Sequence, residues 1–239
     1  DDGHTLRQFD FVVSNPPFKM DFSDTREKIA AQRARFWGGV PAIPPKDVTK
    51  MAIYTLFIQH VINSLKKNGK GAIVVPTGFI TAKSGVESKV LQRIVKDHIV
   101  YGCISMPSNV FANTGTNVSV LFFDNSKASD KIIMIDASKL GEEYQDGNYK
   151  KRRLRDFEID QIVDTFLNKK EVDDFSVAKT YDEIIAKNCS LAAGQYFDIK
   201  IEYIDITPEE FQAKLDAFEQ EYSALTAEGA ELDKQILEN

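Results

Sequence analysis

The sequence contains 239 residues, of which 43% are hydrophobic and 28% are charged, so it can bury a substantial core and fits a globular protein. Its formal net charge is −6 and its isoelectric point is about 5.2, which excludes the overall positive field of a protein that grips nucleic acid unaided. No run approaches the roughly 18 apolar residues of a membrane span, and the start lacks a signal-peptide pattern, so we expect a cytoplasmic protein.

The two cysteines, Cys103 and Cys189, lie far apart and belong to no CxxC or Cys/His spacing. This argues against a disulfide framework and against a zinc site, so we expect two buried or half-buried thiols and no metal. The chain begins with Asp1 rather than with methionine, and we expect it to be a piece of a longer protein.

Between residues 9 and 135, apolar β-rich runs alternate with helical patterns. The predicted strands are FDFVVS, GAIVVP, IVYGCIS, TNVSVLFFD and KIIMID, and the predicted helices cover about residues 49–66 and 86–97. Strands separated by helices of this length are typical of βαβ units. The predicted fold class is therefore α/β, with a partial doubly wound, mostly parallel sheet and a helical carboxyl-terminal extension.

The first predicted helix has apolar residues at helical spacing, two lysines near its end and Gly69 as a stop signal. We expect it to pack on the sheet. His60 lies on this helix, but no second histidine, cysteine or carboxylate stands beside it at ligand spacing, so we assign it no functional role.

The composition changes near residue 150, where KKRRLR precedes an amphipathic helical pattern. A basic run of this kind forms either a solvated face or a contact with nucleic acid, and the sequence leaves both interpretations open. We expect residues 151–206 to form a connecting region of mixed structure.

A long helix is predicted for the tail, residues 207–239. Thr207 is a suitable N-cap, Pro208 suits the first helical position, and Glu210 completes a capping box. Apolar residues then recur at steps of four and three, interrupted by a glycine: Phe211, Leu215, Phe218, Tyr222, Leu225, Leu232 and Ile236. This spacing indicates a narrow coiled-coil seam, which packs either on its own domain or against a helix of another chain.

The run FDFVVS is followed directly by Asn15, Pro16, Pro17 and Phe18. Open α/β sheets bind their ligands beyond the carboxyl ends of their strands, which is where this tetrad is predicted to lie. If the Asn15 side-chain oxygen and the Pro16 carbonyl each accept one N–H of an amino group, its nitrogen becomes more tetrahedral and its lone pair can attack an electrophile. The prolines fix the carbonyl direction without a competing N–H, and Phe18 can stack on a base. The alternative is a turn that simply ends the strand.

The tetrad resembles the catalytic motif of amino-group methyltransferases that use S-adenosyl-L-methionine, Asn/Asp/Ser-Pro-Pro-Tyr/Phe. Further stretches are similar to one branch of that family, the modification (methyltransferase) subunit of type I restriction-modification systems: RARFWGGVPAIPPK, AIYTLFIQHVINSLKKNGKGAIVVPTGFI and MPSNVFANTGTNVSVLFFDNSK. The resemblance runs from about residue 9 to at least residue 140. It implies that residues 1–150 are part of the catalytic domain of an adenine-specific DNA methyltransferase, and that the chain is the carboxyl-terminal part of the complete subunit.

The resemblance also implies roles for individual residues. Asn15, Pro16, Pro17 and Phe18 form the catalytic group, and the target adenine is flipped out of the DNA duplex to reach them. Phe111 matches the second aromatic residue that the family places near the flipped base, with an ordinary core residue as the alternative. The implied cofactor is S-adenosyl-L-methionine. The implied partners are double-stranded DNA, a specificity subunit that selects the target and a restriction subunit.

The segment 19–50 is long for a connection between a strand and a helix. It carries six basic residues, namely Arg26, Lys28, Arg33, Arg35, Lys46 and Lys50. It is either a mobile loop that faces DNA or an ordered insertion whose charges are solvated.

The sequence departs from the family pattern at the cofactor site, because no glycine-rich loop with a preceding acidic residue is present. NGKG at 68–71 lies between a predicted helix and a strand, and we interpret it as a helix stop. We therefore assign no cofactor-binding residue, expect the first strands of the family to be missing, and expect the isolated chain to be inactive. FDFVVS would then be an open sheet edge, filled by another copy of the chain or by a rearranged segment of the same chain.

Two other functions stay open at the level of the sequence. The motif is also compatible with methylation of an RNA base or of a protein glutamine, although the flanking stretches then have no explanation. The coiled-coil tail is compatible with a non-catalytic assembly module. Self-association through the open sheet edge or through the tail helix is a further expectation.

Overall fold

A computed structural model describes residues 6–110, 117–147, 149–198 and 206–238, with the side chains of the last helix described to residue 235. The chain divides into two compact units between residues 197 and 198. Within the described ranges, the first unit contains the sheets and the shorter helices, and the second contains one long helix.

The strands are β1 (Phe9–Ser14), β2 (Leu65–Pro76), β3 (Val100–Ser105), β4 (Val118–Asp124), β5 (Lys131–Asp136), β6 (Glu142–Asp146), β7 (Tyr149–Arg153) and β8 (Ser176–Thr180). The α-helices are α1 (Arg26–Ala30), α2 (Tyr54–Asn63), α3 (Gly85–Lys96), α4 (Asp156–Leu167), α5 (Tyr181–Ala186) and α6 (Pro208–Glu238). Short 3-10 helices cover Ser23–Thr25, Val48–Lys50, Thr77–Thr81 and Ala193–Gln195.

The main sheet has six strands among the described residues, in the order β1-β2-β4-β3-β5-β8. β1 is parallel to β2 and β3 is parallel to β5, whereas β4 and β8 are antiparallel to their neighbours. β1, β2, β3 and β5 therefore point in one direction, and β6 and β7 form a separate two-stranded sheet. This sheet with mostly parallel strands, together with the helical tail, confirms the predicted fold class.

Helices cover the two faces of the main sheet because side chains alternate between the faces along each strand. On one face, Ile73 and Leu121 of the sheet pack with Ile58 of α2 and Ile94 of α3. On the other face, α4 packs through Ile162 and other apolar residues against the β3 and β5 side of the sheet. This layering leaves the β1 side of the second face without a helix among the described residues.

The first predicted helix is wrong at its carboxyl-terminal end, because α2 stops at Asn63 and Leu65 already belongs to β2. The register shifts from Phe9 paired with Leu65 to Phe11 paired with Lys70, so β2 bulges beside β1. Gly69 is not a helix stop. A Cβ atom at this position would lie 2.8 Å from the Phe9 carbonyl oxygen, so the close approach of the two strands requires glycine.

Part of the region 151–206, expected to be a connection, belongs to the main sheet. β8 pairs with β5 in antiparallel fashion and closes the edge that β5 would otherwise expose, and α4 packs on the sheet. The first compact unit accordingly continues to residue 197. Val177 and Ala178 in β8 are buried, which gives the physical reason for this strand.

The basic run KKRRLR is paired with acidic residues of the same fold. Across the β6–β7 hairpin, Lys151 pairs with Asp146, Arg152 with Glu143 and Arg153 with Glu142, and Arg155 pairs with Glu158 at the start of α4. These pairs neutralise most of the charge that the sequence concentrates here. The structure therefore favours the solvated-face interpretation of this run.

Segment 19–50 is an ordered insertion attached to α2. The Gln59 side chain accepts from the Gly38 N–H at 2.7 Å and donates to the Gly39 carbonyl at 3.1 Å. Asn63 donates to the Arg35 carbonyl at 2.7 Å, and the Phe22 ring is buried against the same helix. These contacts support the ordered-insertion interpretation, whereas a role in DNA contact stays a prediction.

His60, to which we assigned no role from the sequence, helps to hold this insertion. Arg35 is a permanent donor, so the His60 Nδ1 atom accepts from Arg35 Nη2 at 2.9 Å. Burial and then the Arg35 charge lower the pKa of His60. The neutral imidazole is therefore the form that fits this contact.

Both cysteines are buried free thiols, as predicted. Burial raises the pKa of Cys103 to about 12 and also raises the pKa of Cys189. The thiolate is the reactive form of cysteine, so these residues have a packing role.

The second unit begins with the predicted capping box. Thr207 N–H donates to Glu210 Oε2 at 3.0 Å, and Glu210 N–H donates to Thr207 Oγ1 at 3.2 Å. Along α6 the seam residues with described side chains are exposed, with Phe218 and Tyr222 each 66% accessible. Packing of this seam on its own domain and packing against a helix of another chain both stay open.

Among the described residues, none of the helices has the length and hydrophobicity of a membrane-spanning segment.

β1 is an edge strand, and its only strand partner among the described residues is β2. Phe11 and Val13 are 77% and 83% exposed, whereas Val12 points into the core. The expectation that a rearranged segment of the same chain fills this edge is wrong for the described residues, since β8 occupies the opposite edge and the other strands are paired elsewhere. Occupation by a second copy stays a prediction.

Candidate active site at the carboxyl edge of the sheet

The carboxyl ends of the parallel strands meet at one edge of the main sheet. Ser14 ends β1 beside Ile73, β2 continues to Pro76, and Thr77 begins the 3-10 helix that follows at the same edge. The Thr77 N–H donates to the Asn117 carbonyl at 2.8 Å, which joins this edge to the start of β4. Residues that follow β1 and β2 are therefore neighbours in space, as expected for the ligand side of an open α/β sheet.

The four motif residues differ in their burial. Asn15 and Pro17 are exposed, Pro16 is buried and Phe18 is half-buried. The buried Pro16 ring anchors the turn, and its fixed φ limits the directions that its carbonyl can take. The Asn15 amide is left open to solvent, where a substrate can reach it.

The Phe18 ring is held by two further aromatic rings. Phe18 meets Tyr54 edge-to-face, with ring centroids 6.4 Å apart and an interplanar angle of 77°. Tyr54 in turn meets Phe79 edge-to-face, with centroids 5.9 Å apart and an angle of 88°. This arrangement connects the motif to the first residue of α2 and to the 3-10 helix that follows β2.

The hydroxyl of Tyr54 lies 3.4 Å from Glu87 Oε1 in the first turn of α3. The pKa of Tyr54 is strongly raised, mainly by burial and secondly by the negative charge of Glu87. The phenol therefore stays protonated and serves as the donor. At 3.4 Å this hydrogen bond is long, so the ring contacts carry more of the positioning than the hydroxyl does.

A cavity of about 340 Å³ lies beside Tyr54, within the size range of small-molecule pockets. Its lining residues are Tyr54, Pro76, Gly78, Phe79, Ala82, Lys83, Ser84 and Glu87. Phe18 contacts one of these residues, but the motif itself does not line the cavity. The recess is therefore adjacent to the tetrad and shares its aromatic wall.

Beneath the edge, three hydroxyl groups from neighbouring strands lie in a row. Thr77 Oγ1 is 3.0 Å from Ser119 Oγ, which donates to Ser105 Oγ at 3.5 Å. Ser119 is fully buried, so this row satisfies a polar group that would otherwise be costly. Sequence reasoning missed Tyr54, Thr77 and Glu87; the signal for Thr77 was its place directly after a predicted strand.

Phe111, the second aromatic residue proposed for the base, lies outside the described residues. Two residues before it, the Asn109 carbonyl accepts from the Arg152 N–H of β7 at 3.1 Å. The role of Phe111 therefore stays a prediction.

The described residues do not assemble a site that fits S-adenosyl-L-methionine. The turn after β1 is Asn-Pro-Pro, and its two prolines offer no N–H donors to a bound anion. Gly69 and Gly71 lie within β2, where Gly71 pairs with Val12, and not at the edge that holds Asn15. No cofactor-binding residue is assigned among the described residues.

The chain matches the family model described as N-6 DNA Methylase over residues 1–203. A similar curated protein is the methylase subunit of the type I restriction enzyme MjaIX of Methanocaldococcus jannaschii, with 28% identity, covering 100% of this chain and 43% of that protein. The HindI methylase subunit of Haemophilus influenzae is 27% identical, covering 99% of this chain and 52% of that protein. The chain thus spans about half, or less, of the length of these relatives.

A solved structure supports the fold. The methyltransferase subunit of the type I restriction-modification system from Streptococcus thermophilus matches with a TM-score of 0.65 and 23% identity, covering 80% of this chain and 38% of that one. The similarity to type I methylase subunits proposed from the sequence is therefore confirmed. Because the family model covers most of its length, the chain belongs to the N-6 DNA Methylase family.

Proposed function

We propose that this chain carries the base-side part of an adenine-specific DNA methyltransferase, which transfers a methyl group from S-adenosyl-L-methionine to the exocyclic amine of adenine in DNA. The observation that carries the proposal is the exposed amide of Asn15, which directly follows a parallel strand and precedes the buried Pro16. Family membership and the names of the relatives support the same activity.

The chemistry assigned to the motif is preorganised electrostatic stabilisation. The adenine amine donates one N–H to the Asn15 side-chain oxygen and the other to the Pro16 carbonyl. With the cofactor bound, the nitrogen lone pair would form the N–C bond while the bond from that methyl carbon to the cofactor sulfur breaks, and the nitrogen would then release one proton to solvent. The two acceptors would stabilise the positive charge that develops on the nitrogen in this step. Pro17 contributes no competing donor, and Phe18 stacks on the flipped base, with Phe111 as the second proposed stacking residue.

The proposed partners are double-stranded DNA, a specificity subunit and a restriction subunit. The net charge of −6 supports a division of labour in which most of the grip on DNA belongs to another polypeptide. The relatives are named as subunits of type I restriction enzymes, which supports the same assignment. Methylation of RNA or of a protein glutamine is less well supported, because the matching family model is a DNA methylase.

Self-association is a further part of the proposal. The exposed apolar side chains Phe11 and Val13 on the β1 edge make that edge a candidate for strand addition. The exposed seam of α6 is the second candidate surface.

The test is a methyl-transfer assay on adenine-containing DNA with the full product of the gene and its specificity subunit. Asn15→Ala removes the acceptor and should lower kcat on the order of 100-fold, whereas Asn15→Asp keeps an acceptor oxygen and should retain part of the rate. The control is Asn68→Ala, which removes an exposed amide from the amino-terminal half of β2. Full activity of the Asn15→Ala variant would remove Asn15 from the mechanism.

A further inference from the structure

The orientation of the Phe18 ring depends on a side chain outside the motif. Phe18 follows two prolines and is half-buried, so its backbone is restrained while part of its ring faces solvent. A solvent-facing ring needs a neighbour to hold its plane before it can serve as a stacking platform. In this structure that neighbour is Tyr54, which meets it edge-to-face at 6.4 Å.

Tyr54 is itself fixed on several sides. It is 6% exposed, it is the first residue of α2, and Phe79, which is 1% exposed, meets its ring at 5.9 Å. Its hydroxyl lies 3.4 Å from Glu87 on α3. Rigid elements from two helices and the end of β2 thus determine where the Tyr54 ring lies.

We propose that Tyr54 is a positioning residue, which fixes the ring plane of Phe18 for stacking on the target base and is in turn fixed by Phe79 and Glu87. This inference rests on the proposed function for the role of Phe18. A ring held in advance loses less freedom when a base binds, and small misplacements of reacting groups lower rates steeply. Tyr54 is not one of the two proposed acceptors, and its contact with the motif is through Phe18, so we expect its effect to act through that ring.

The first test measures the Phe18 ring without any substrate. Ring carbons of phenylalanine are labelled with ¹³C, and the Phe18 signal is assigned by its loss in Phe18→Leu. In the wild type we expect one set of NMR signals for an ordered Phe18 ring, with chemical shifts displaced by the neighbouring Tyr54 ring. In Tyr54→Leu we expect chemical shifts averaged by motion of the Phe18 ring. In Tyr54→Phe we expect the wild-type chemical shifts, because the aromatic contact is kept. A Phe18 ring equally ordered in Tyr54→Leu would overturn the inference.

The second test separates binding from turnover in the full gene product with its specificity subunit. Tyr54→Leu should lower kcat for adenine methylation by about 5-fold to 100-fold and leave KM for DNA nearly unchanged, because most of the grip lies elsewhere. Tyr54→Phe should restore most of the rate, and Glu87→Gln should cause no larger loss than Tyr54→Phe, because Glu87 contacts Tyr54 through the hydroxyl that Tyr54→Phe removes. Equal loss of activity in Tyr54→Leu and Tyr54→Phe, or an unchanged kcat in both, contradicts the role.

Controls separate positioning from folding and from the proposed function. Tyr181 is also buried and its hydroxyl donates to the Val100 carbonyl at 2.9 Å, so Tyr181→Leu should cost similar stability without the loss of kcat. If Asn15→Ala stays fully active, the proposed function fails and the ring measurement alone decides on Tyr54. If Asn15→Ala is inactive while Tyr54→Leu keeps its kcat, only the present inference fails.

Discussion

Gly102 in β3 lies directly beneath the ring of Phe166 in α4, and a Cβ atom on Gly102 would be 2.4 Å from Phe166 Cε2. The same ring lies 4.5 Å from Phe122 and 5.8 Å from Tyr101, measured between centroids. The absence of a side chain at Gly102 therefore lets α4 pack closely on the sheet through an aromatic cluster.

Gly102→Ala should destabilise the protein because the added methyl group has no space unless α4 moves. We expect the free energy of unfolding to fall by about 1 to 3 kcal/mol, as for other overpacked cores. Urea denaturation measures this difference. Gly194→Ala is the matched control, since a Cβ atom there meets nothing within 4 Å, and equal losses in both variants would contradict the packing argument.

The contact between His60 and Arg35 should make stability depend on pH. The pKa of His60 is lowered in the folded protein by burial and then by the Arg35 charge, so the unfolded chain binds the proton more readily. Stability should therefore be complete above the unfolded pKa of about 6.5 and decline as pH falls towards the lower folded pKa. His60→Gln keeps an acceptor and should flatten this dependence in urea midpoints measured between about pH 5 and pH 8. A slope that persists in His60→Gln would assign the pH dependence to another group.

Glu158, near the start of α4, should make the stability of the folded protein fall at acidic pH. Its carboxylate accepts from Arg155 Nη2 at 2.6 Å, from the Arg155 N–H at 2.8 Å and from the Gly141 N–H at 2.9 Å. These bonds lower the pKa of Glu158 to about 2, so the contribution is present above its unfolded pKa of about 4.3 and is lost as pH falls towards 2. Glu158→Gln should be less stable at neutral pH and should lose less stability on acidification. Glu219→Gln, on the surface of α6, is the control, and an unchanged acid profile for Glu158→Gln would argue against the assignment.

The bare edge at β1 should promote association between copies of the chain. Val13→Lys places a charge on an exposed apolar position, and charges of this kind discourage strand addition. We expect a lower apparent mass in sedimentation experiments at high concentration, with stability changed by about 0.5 kcal/mol or less. Val163→Lys alters a half-exposed residue on α4 and should leave the association unchanged. Equal association of Val13→Lys and the wild type would exclude this edge as the contact.

The capping box at the start of α6 should be needed for the first turns of that helix. Thr207→Ala removes the acceptor for the Glu210 N–H and should cost about 1 kcal/mol of helix stability. Circular dichroism during thermal unfolding detects the loss of helix. Thr226→Ala, in the middle of α6, removes a hydroxyl that only bonds back to the Tyr222 carbonyl, so it should have little effect.

Local patterns predicted the fold class and the capping of α6, because the strand runs and the Thr207–Glu210 spacing act over a few residues. The prediction from the sequence was wrong at Leu65. The lysines and Gly69 that follow this residue resemble a helix end, but the stretch belongs to β2 and pairs with β1. That pairing is a long-range contact, and no periodicity in a short window reports it. β8 was missed for the same reason, since its partner β5 is about 45 residues away in the chain.

The motif at Asn15 could be found in the sequence because its residue types are unusual together. The residues that hold its Phe18 ring in place could not be found in this way. Tyr54, Phe79 and Glu87 come from three separate elements, and each is an ordinary residue in its own segment. Only the folded chain brings Tyr54 to Phe18, and Phe79 and Glu87 to Tyr54. Reactive residues that are consecutive in the chain can be recognised from the sequence. The residues that orient them are spread over several elements and can be identified only in the structure.

Pro16 and Pro17 also limit what can be added beside β1. A strand that joined the outer edge of β1 would pair with the backbone N–H and carbonyl groups that alternate residues of 9–14 direct away from β2. Pro16 and Pro17 have no N–H, so this ladder could not continue beyond Asn15. The two prolines thus set the limit of any strand added at this edge, whichever chain supplied it.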